Sequence, residues 1–243
     1  MFSGKIEDYI LFEDKEIIVC RKPAGIAVQN ARIGAMDLES SLKNYLAMQA
    51  GGGRRIPYLA VIHRLDQPVE GILVFGKTPE AAKSLSAQIT AGKMEKIYLA
   101  VTYGKQAEAG KKEKILEDYL KKDGKSNTSS VVNVHTPGAK KARLSYEVLG
   151  EAVDAISGKK KWLLRIHLDT GRHHQIRVQM AHAGMPLAGD RKYGAGTNVT
   201  IGAGSLALCA ASLTFFHPVT GKMMKFVTKP EGAEFKGISI PQM

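Results

Sequence analysis

Only two cysteines, Cys20 and Cys209, occur in the chain, far apart and without C-x-x-C spacing. That excludes a disulfide framework and a cysteine-based zinc site, and it fits a reducing compartment, so the cytoplasm is the expected location. Long apolar runs are missing as well. The opening Met1 to Phe12 carries Lys5, Glu7 and Asp8 and lacks the apolar centre of a secretory signal. The most apolar later stretch, Leu206 to Phe216, is broken by Ser212 and Thr214 and is too short to span a bilayer, so no membrane partner is expected. Metal-binding patterns are scarce: His174 and His182 lie two helical turns apart, but Val178 occupies the turn between them and H-E-x-x-H is absent. Acidic residues are also few. There are 23 Asp plus Glu against 35 Lys plus Arg, a formal charge of +12, with the basic residues spread along the chain. A polyanionic partner is the natural inference, although such a charge also serves simple solubility and does not distinguish RNA from DNA.

What is present is an ordinary globular composition. With 243 residues, 44% of them hydrophobic, the chain can bury a substantial core unaided. Ile6 to Phe12 and Ile17 to Cys20 read as strands joined by the polar Glu13 to Glu16, and Pro23 with Gly25 then turns the chain. Asp37 caps a predicted helix reaching about Gln49, with Leu38, Leu42, Tyr45 and Leu46 on one face. Thr78-Pro79-Glu80 starts another, with Ala82, Leu85 and Ile89 as its buried stripe. Lys93 to Gly104 alternates as a strand. Gly51 to Arg55 reads as a basic connector, and Lys105 to Lys141 as turns or flexible segments without assignable chemistry. Strands return over Lys140 to Leu149, Trp162 to Leu168, Leu206 to Phe216 and Lys225 to Thr228, and Thr170 is expected to cap a helix carrying Ile176, Met180 and Ala183 on one face.

The stretch Ala60 to Lys77 sets one carboxylate, Asp66, beside Arg64 in a turn between apolar runs. Asp66, Pro68 and Gly71 each punctuate the backbone, and Ile72 to Phe75 is too short and too continuously apolar for an amphipathic helix. An Asp in such a turn commonly bonds nearby backbone N–H groups, and that structural reading stands beside a functional one. Tyr98, in a strand, suits packing as well as chemistry. Arg64 reads equally as a surface charge.

Wording along the chain favours the functional side. H-R-L-D at His63 to Asp66, followed by Gly71, an apolar strand and G-K-T, resembles the catalytic motif of RluA-type pseudouridine synthases. K-P-A-G at Lys22 to Gly25 resembles the segment preceding it, and Lys96 to Gly104, which follows K-x-Y-x-A-x-V-x-G shifted by one letter at its end, resembles the family's second motif. T-G-R-x-H-Q-I-R-V from Thr170, then A-H-x-G-x-P-x-x-G-D-x-x-Y-G to Gly194, is similar to the third, and H-P-x-T-G at His217 to a family turn. The resemblance runs from Lys22 to about Pro230. It departs at Gln67 to Glu70, where a Thr-Ser pair is usual before the Gly, which bears on contacts near the nucleotide.

The resemblance implies one catalytic domain over residues 1–243 with no separate amino-terminal RNA-binding domain. Its expected fold is mixed α/β (α+β), a curved, mostly antiparallel sheet flanked by helices and loops. It implies an RNA pseudouridine synthase in which Asp66 is the nucleophile, Tyr98 lies against the target uracil and Arg177 pairs with Asp66. A nucleophilic carboxylate among Ile62, Leu65 and Ile72 must stay ionised, and an arginine able to bond both oxygens would do that. The target base must be flipped out of its stack, and Arg64 is suited to fill the space left behind. Tyr98 is suited to stack on the flipped ring. His63, Arg172 and Gln175 are expected around the substrate, orienting Arg177 or binding backbone. The reaction is an isomerisation, so no cofactor or metal is expected; the partner is RNA, ribosomal first and transfer RNA second, and the protein is expected to act as a monomer. Two rivals remain: an RNA-binding protein that keeps the fold without catalysis, and a hydrolytic nuclease or glycosidase, for which Asp66 has only Glu70 as a nearby second acid.

Overall fold

The computed structural model describes residues 2–30, 36–51, 56–103, 113–154, 158–194 and 205–242. In chain order its strands are β1 (Ile10–Glu13), β2 (Ile17–Lys22), β3 (Ala60–Val61), β4 (Glu70–Gly76), β5 (Glu95–Thr102), β6 (Lys114–Asp123), β7 (Thr128–Val132), β8 (Lys140–Val153), β9 (Lys160–Leu168), β10 (Leu208–Phe216) and β11 (Met223–Val227). The helices are α1 (Leu38–Gln49), α2 (Pro79–Thr90) and α3 (Gln175–His182). Contacts gather the chain into two compact units, Met1–Glu95 with Ala210–Lys229 and Lys96–Cys209 with Pro230–Met243.

In the first unit the strand order is β1-β2-β4-β10, with β3 also on β4 and β11 on β10. The pairings β1–β2, β2–β4, β3–β4 and β10–β11 are antiparallel. Ile17 and Val19 of β2, Ile72 and Val74 of β4, Leu213 and Phe215 of β10 and Ala81 and Leu85 of α2 form one core cluster. Both helices begin as expected: Asp37 accepts from Ser40 N at 2.7 Å and Thr78 from Ala81 N at 3.2 Å, each satisfying an otherwise orphan donor. The stripe of α2 is Ala81, Leu85 and Ile89, one residue off the predicted start. The predicted first strand is shorter than expected. Ile6–Tyr9 is a 3-10 turn, because Asp8 accepts from Lys5 N at 3.0 Å and its own N–H returns to Lys5 O at 3.2 Å.

The second unit is the antiparallel order β5-β9-β8-β6-β7. Leu120 of β6, Ala142 of β8 and Val178 of α3 pack together with Val131 and Tyr193 against them. Strand β5 is buried from Tyr98 onward, and Tyr98 itself is 6% exposed. The hairpin β6–β7 replaces the turns expected within Lys105 to Lys141. Helix α3 starts at Gln175, not after Thr170: Thr170 Oγ1 accepts from Arg143 N at 2.8 Å and donates to Gln175 Oε1 at 2.8 Å, which ties it to β8 instead. Its first boundary residue is His174, held in the left-handed region at φ +55°. Gly52 to Arg55, Gly104 and Lys105 to Lys112 lie outside the described residues.

Candidate active site

Asp66 is half-buried on the loop from β3 to β4, with Leu65 and Val69 buried on either side as anchors. Its carbonyl accepts from Val69 N at 3.0 Å, closing the turn. The next carbonyl, of Gln67, accepts from Gly25 N at 2.8 Å and from Lys22 Nζ at 3.0 Å. In return Gln67 Nε2 donates to Gly25 O at 3.0 Å. The Lys22 to Gly25 turn and the Asp66 turn are thus latched in both directions, which Gly25 permits by adopting φ +86°.

Lys22 is the residue around which this loop is built. It is fully buried, and its ammonium also donates to Pro23 O at 3.0 Å and Ile26 O at 2.7 Å, so all three N–H groups are used. Burial pulls its pKa down to about 8, opposed by the negative charges of Asp66 and Glu70 and by Cys20. Glu70 is itself buried at the start of β4, beside Gly71, which pairs with Lys22 across the sheet. Asp66 therefore has a buried cation in its field that sequence reasoning missed. The available signal was a lysine closing an apolar strand.

The neighbours of Asp66 divide by exposure. Arg64 is exposed and among the described residues makes no hydrogen bond or ion pair. His63 turns toward the sheet, its Nε2 lying 3.4 Å from the N–H of Val74.

In the second unit Arg177 is 5% exposed, and its Nε and terminal nitrogen grip the two carboxylate oxygens of Asp190, each at 2.8 Å. Asp190 Oδ1 also accepts from Lys192 N at 3.0 Å and Tyr193 N at 3.2 Å. The Tyr193 ring lies beneath the guanidinium, 5.1 Å from its Cζ. The bidentate edge of Arg177 is therefore held by Asp190. Asp190 and Tyr193 are the D and Y of G-D-x-x-Y-G, quoted in the sequence but given no role there.

Gln175 is buried with both ends of its amide engaged. Oε1 accepts from Arg172 N at 3.0 Å as well as from Thr170, and Nε2 donates to Arg143 O at 3.0 Å. Arg172 is exposed and donates through Nε to Lys141 O at 2.8 Å. Both side chains brace the start of α3 against β8. Tyr193 OH accepts from Ser129 N at 2.8 Å and lies 2.7 Å from His174 Nδ1, so the same tyrosine ties the β7 strand to α3. Among the described residues no three His, Cys, Asp or Glu side chains gather as a metal site, and no helix is long and apolar enough to cross a membrane.

The mixed α+β architecture, mostly antiparallel with few helices, is that of pseudouridine synthases. It matches Human RNA Pseudouridylate Synthase Domain Containing 4 with a TM-score of 0.73 at 21% identity, covering 93% of this chain and 90% of that one. It matches the human Domain Containing 1 protein with a TM-score of 0.73 at 19% identity, covering 95% and 86%. Residues 16–182 match the family described as RNA pseudouridylate synthase, and the chain belongs to that family. Among its relatives is the ribosomal large subunit pseudouridine synthase D of Pseudomonas aeruginosa, 32% identical over 91% of this chain and 68% of that protein. The protein of the same name from Xanthomonas campestris is 29% identical over 89% of this chain. The chain spans 64% of the length of that second relative.

Proposed function

We propose that this chain isomerises uridine in RNA to pseudouridine, with large-subunit ribosomal RNA the first substrate class to test and transfer RNA the second. The observation that carries the reading is the mounting of Asp66: a carboxylate on a doubly latched loop, beside a buried ammonium, in a chain of this family. Asp66 acts as the nucleophile. The bond between uracil nitrogen and ribose breaks, the base turns, carbon five joins the sugar and its proton leaves while the nitrogen gains one. Tyr98 stacks on the uracil and Arg177 supplies positive charge for Asp66. Exposed Arg64 takes the space left by the flipped base, at a cost of a few kcal/mol that stacking offsets. His63, Arg172 and Gln175 support these groups through backbone contacts.

RNA labelled with tritium at carbon five of uracil tests this directly, because the new carbon–carbon bond releases the label to water. Release by the native protein and none by Asp66→Ala, with RNA affinity retained, is the expected result. Binding without release from either RNA class would support a non-catalytic RNA-binding protein. The protein is further proposed to act as a cytoplasmic monomer without metal. Chelation should leave the release rate unchanged, and light scattering should give the mass of one chain.

A further inference from the structure

Lys96 stands two residues before Tyr98 on the same side of β5, since alternate strand residues share a face. It differs from the other buried lysines. Lys22 is satisfied by three carbonyls, and Lys161 by Glu234 O at 2.9 Å, Lys236 O at 3.3 Å and Asp154 Oδ2 at 4.0 Å. Lys96 is half-buried, and among the described residues it makes no hydrogen bond or ion pair. Burial alone draws its amine below the usual lysine range. What it faces is bare backbone: a Cβ at Gly171 would lie 3.9 Å from Lys96 Nζ and would meet nothing else within 4 Å. Gly171 is exposed, so the approach to the amine is open on that side. A desolvated cation without a counter-charge is unfavourable in the free protein and becomes favourable when a ligand brings an anion.

We propose that Lys96 and the side-chain-free backbone at Gly171 form an anion subsite that takes a phosphodiester of the RNA strand. This rests on the reading of RNA as substrate. The contact is one point charge to one phosphate, so it contributes to affinity without reading sequence.

The test uses the full chain, Lys96→Met, Lys96→Arg and Gly171→Val, with an unmodified transcript of large-subunit ribosomal RNA as probe, and measures dissociation constants across a salt series. A lost phosphate contact reduces the slope of log affinity against log salt by about one. That reduction is expected for Lys96→Met, and also for Gly171→Val, whose side chain covers a lysine that keeps its charge. Lys96→Arg should retain the native slope. Without RNA, Lys96→Met should melt no lower than the native protein, because it removes a penalised charge. Native slope in Lys96→Met, beside normal tritium release by the native protein, overturns the subsite and leaves the function standing. Absence of any salt-sensitive RNA binding by the native protein overturns both.

Discussion

A buried ammonium such as that of Lys22 opposes folding through its own desolvation while serving the charges around it, and pH separates the two effects. Its proton leaves near pH 8 in the folded protein and near about 10.4 in an unfolded chain. Between those values the unfolded chain binds more protons, so this group's contribution to unfolding free energy rises with pH, by on the order of 3 kcal/mol across the window. Activity moves oppositely, since a neutral amine no longer offsets Asp66 and Glu70. Urea unfolding of the native protein and Lys22→Met at about pH 7 and about pH 9.5 should therefore show a native-minus-variant stability difference that grows with pH. Tritium release by the native protein should fall over the same range. A difference that shrinks would mean that the folded state favours the charged amine. Motif wording alone singles out Asp66 and Arg177 in the sequence, whereas nothing local assigns a role to Lys22 or Asp190. Their roles depend on contacts with Gln67 and Arg177, across sequence separations that no local pattern encodes.

At the level of elements, β4 shows how closely strand geometry constrains the loop that precedes it. Gly71 adopts φ +131°, and a Cβ there would lie 2.6 Å from Ala210 Cβ and closer still to that residue's backbone N and O. Gly71→Ala thus meets two penalties, backbone strain of about 1–3 kcal/mol and overpacking of about 1–3 kcal/mol. Gly25→Ala meets only the left-handed term of about 1–2 kcal/mol, because nothing lies within 4 Å of its added methyl. Denaturant midpoints should rank native above Gly25→Ala above Gly71→Ala; equal losses would mean that β10 yields to the methyl. Strand β4 could be read from its continuous apolar run, and α1 and α2 from capping residues, since burial and capping leave local marks. The β6–β7 hairpin left none. Of β6 only Leu120 is buried, so charged residues such as Glu117, Lys121 and Lys122 occupy both faces and erase the period of two. The same limit applies to α3: nearly all its residues are buried, so no polar face marked where it begins.

For the whole molecule, the formal +12 is an upper guide to RNA affinity and not a count of contacts. Much basic charge of the second unit is already answered on one exposed sheet face. Lys141 lies 2.8 Å from Glu117, Arg143 joins Glu117 to Asp169, and Arg165 lies 2.7 Å from Glu147. A cation paired to a carboxylate condenses little of its own phosphate and adds little to counterion release. Net charge and salt slope should therefore diverge. Lys141→Ala and Arg165→Ala each lower the net charge by one, yet each should leave the slope of log affinity against log salt at the native value, while a native slope of about −3 to −5 would correspond to roughly four to six neutralised phosphates. A slope reduced by about one in either variant would instead place RNA on that ion-paired face and displace its carboxylates from their arginine and lysine partners.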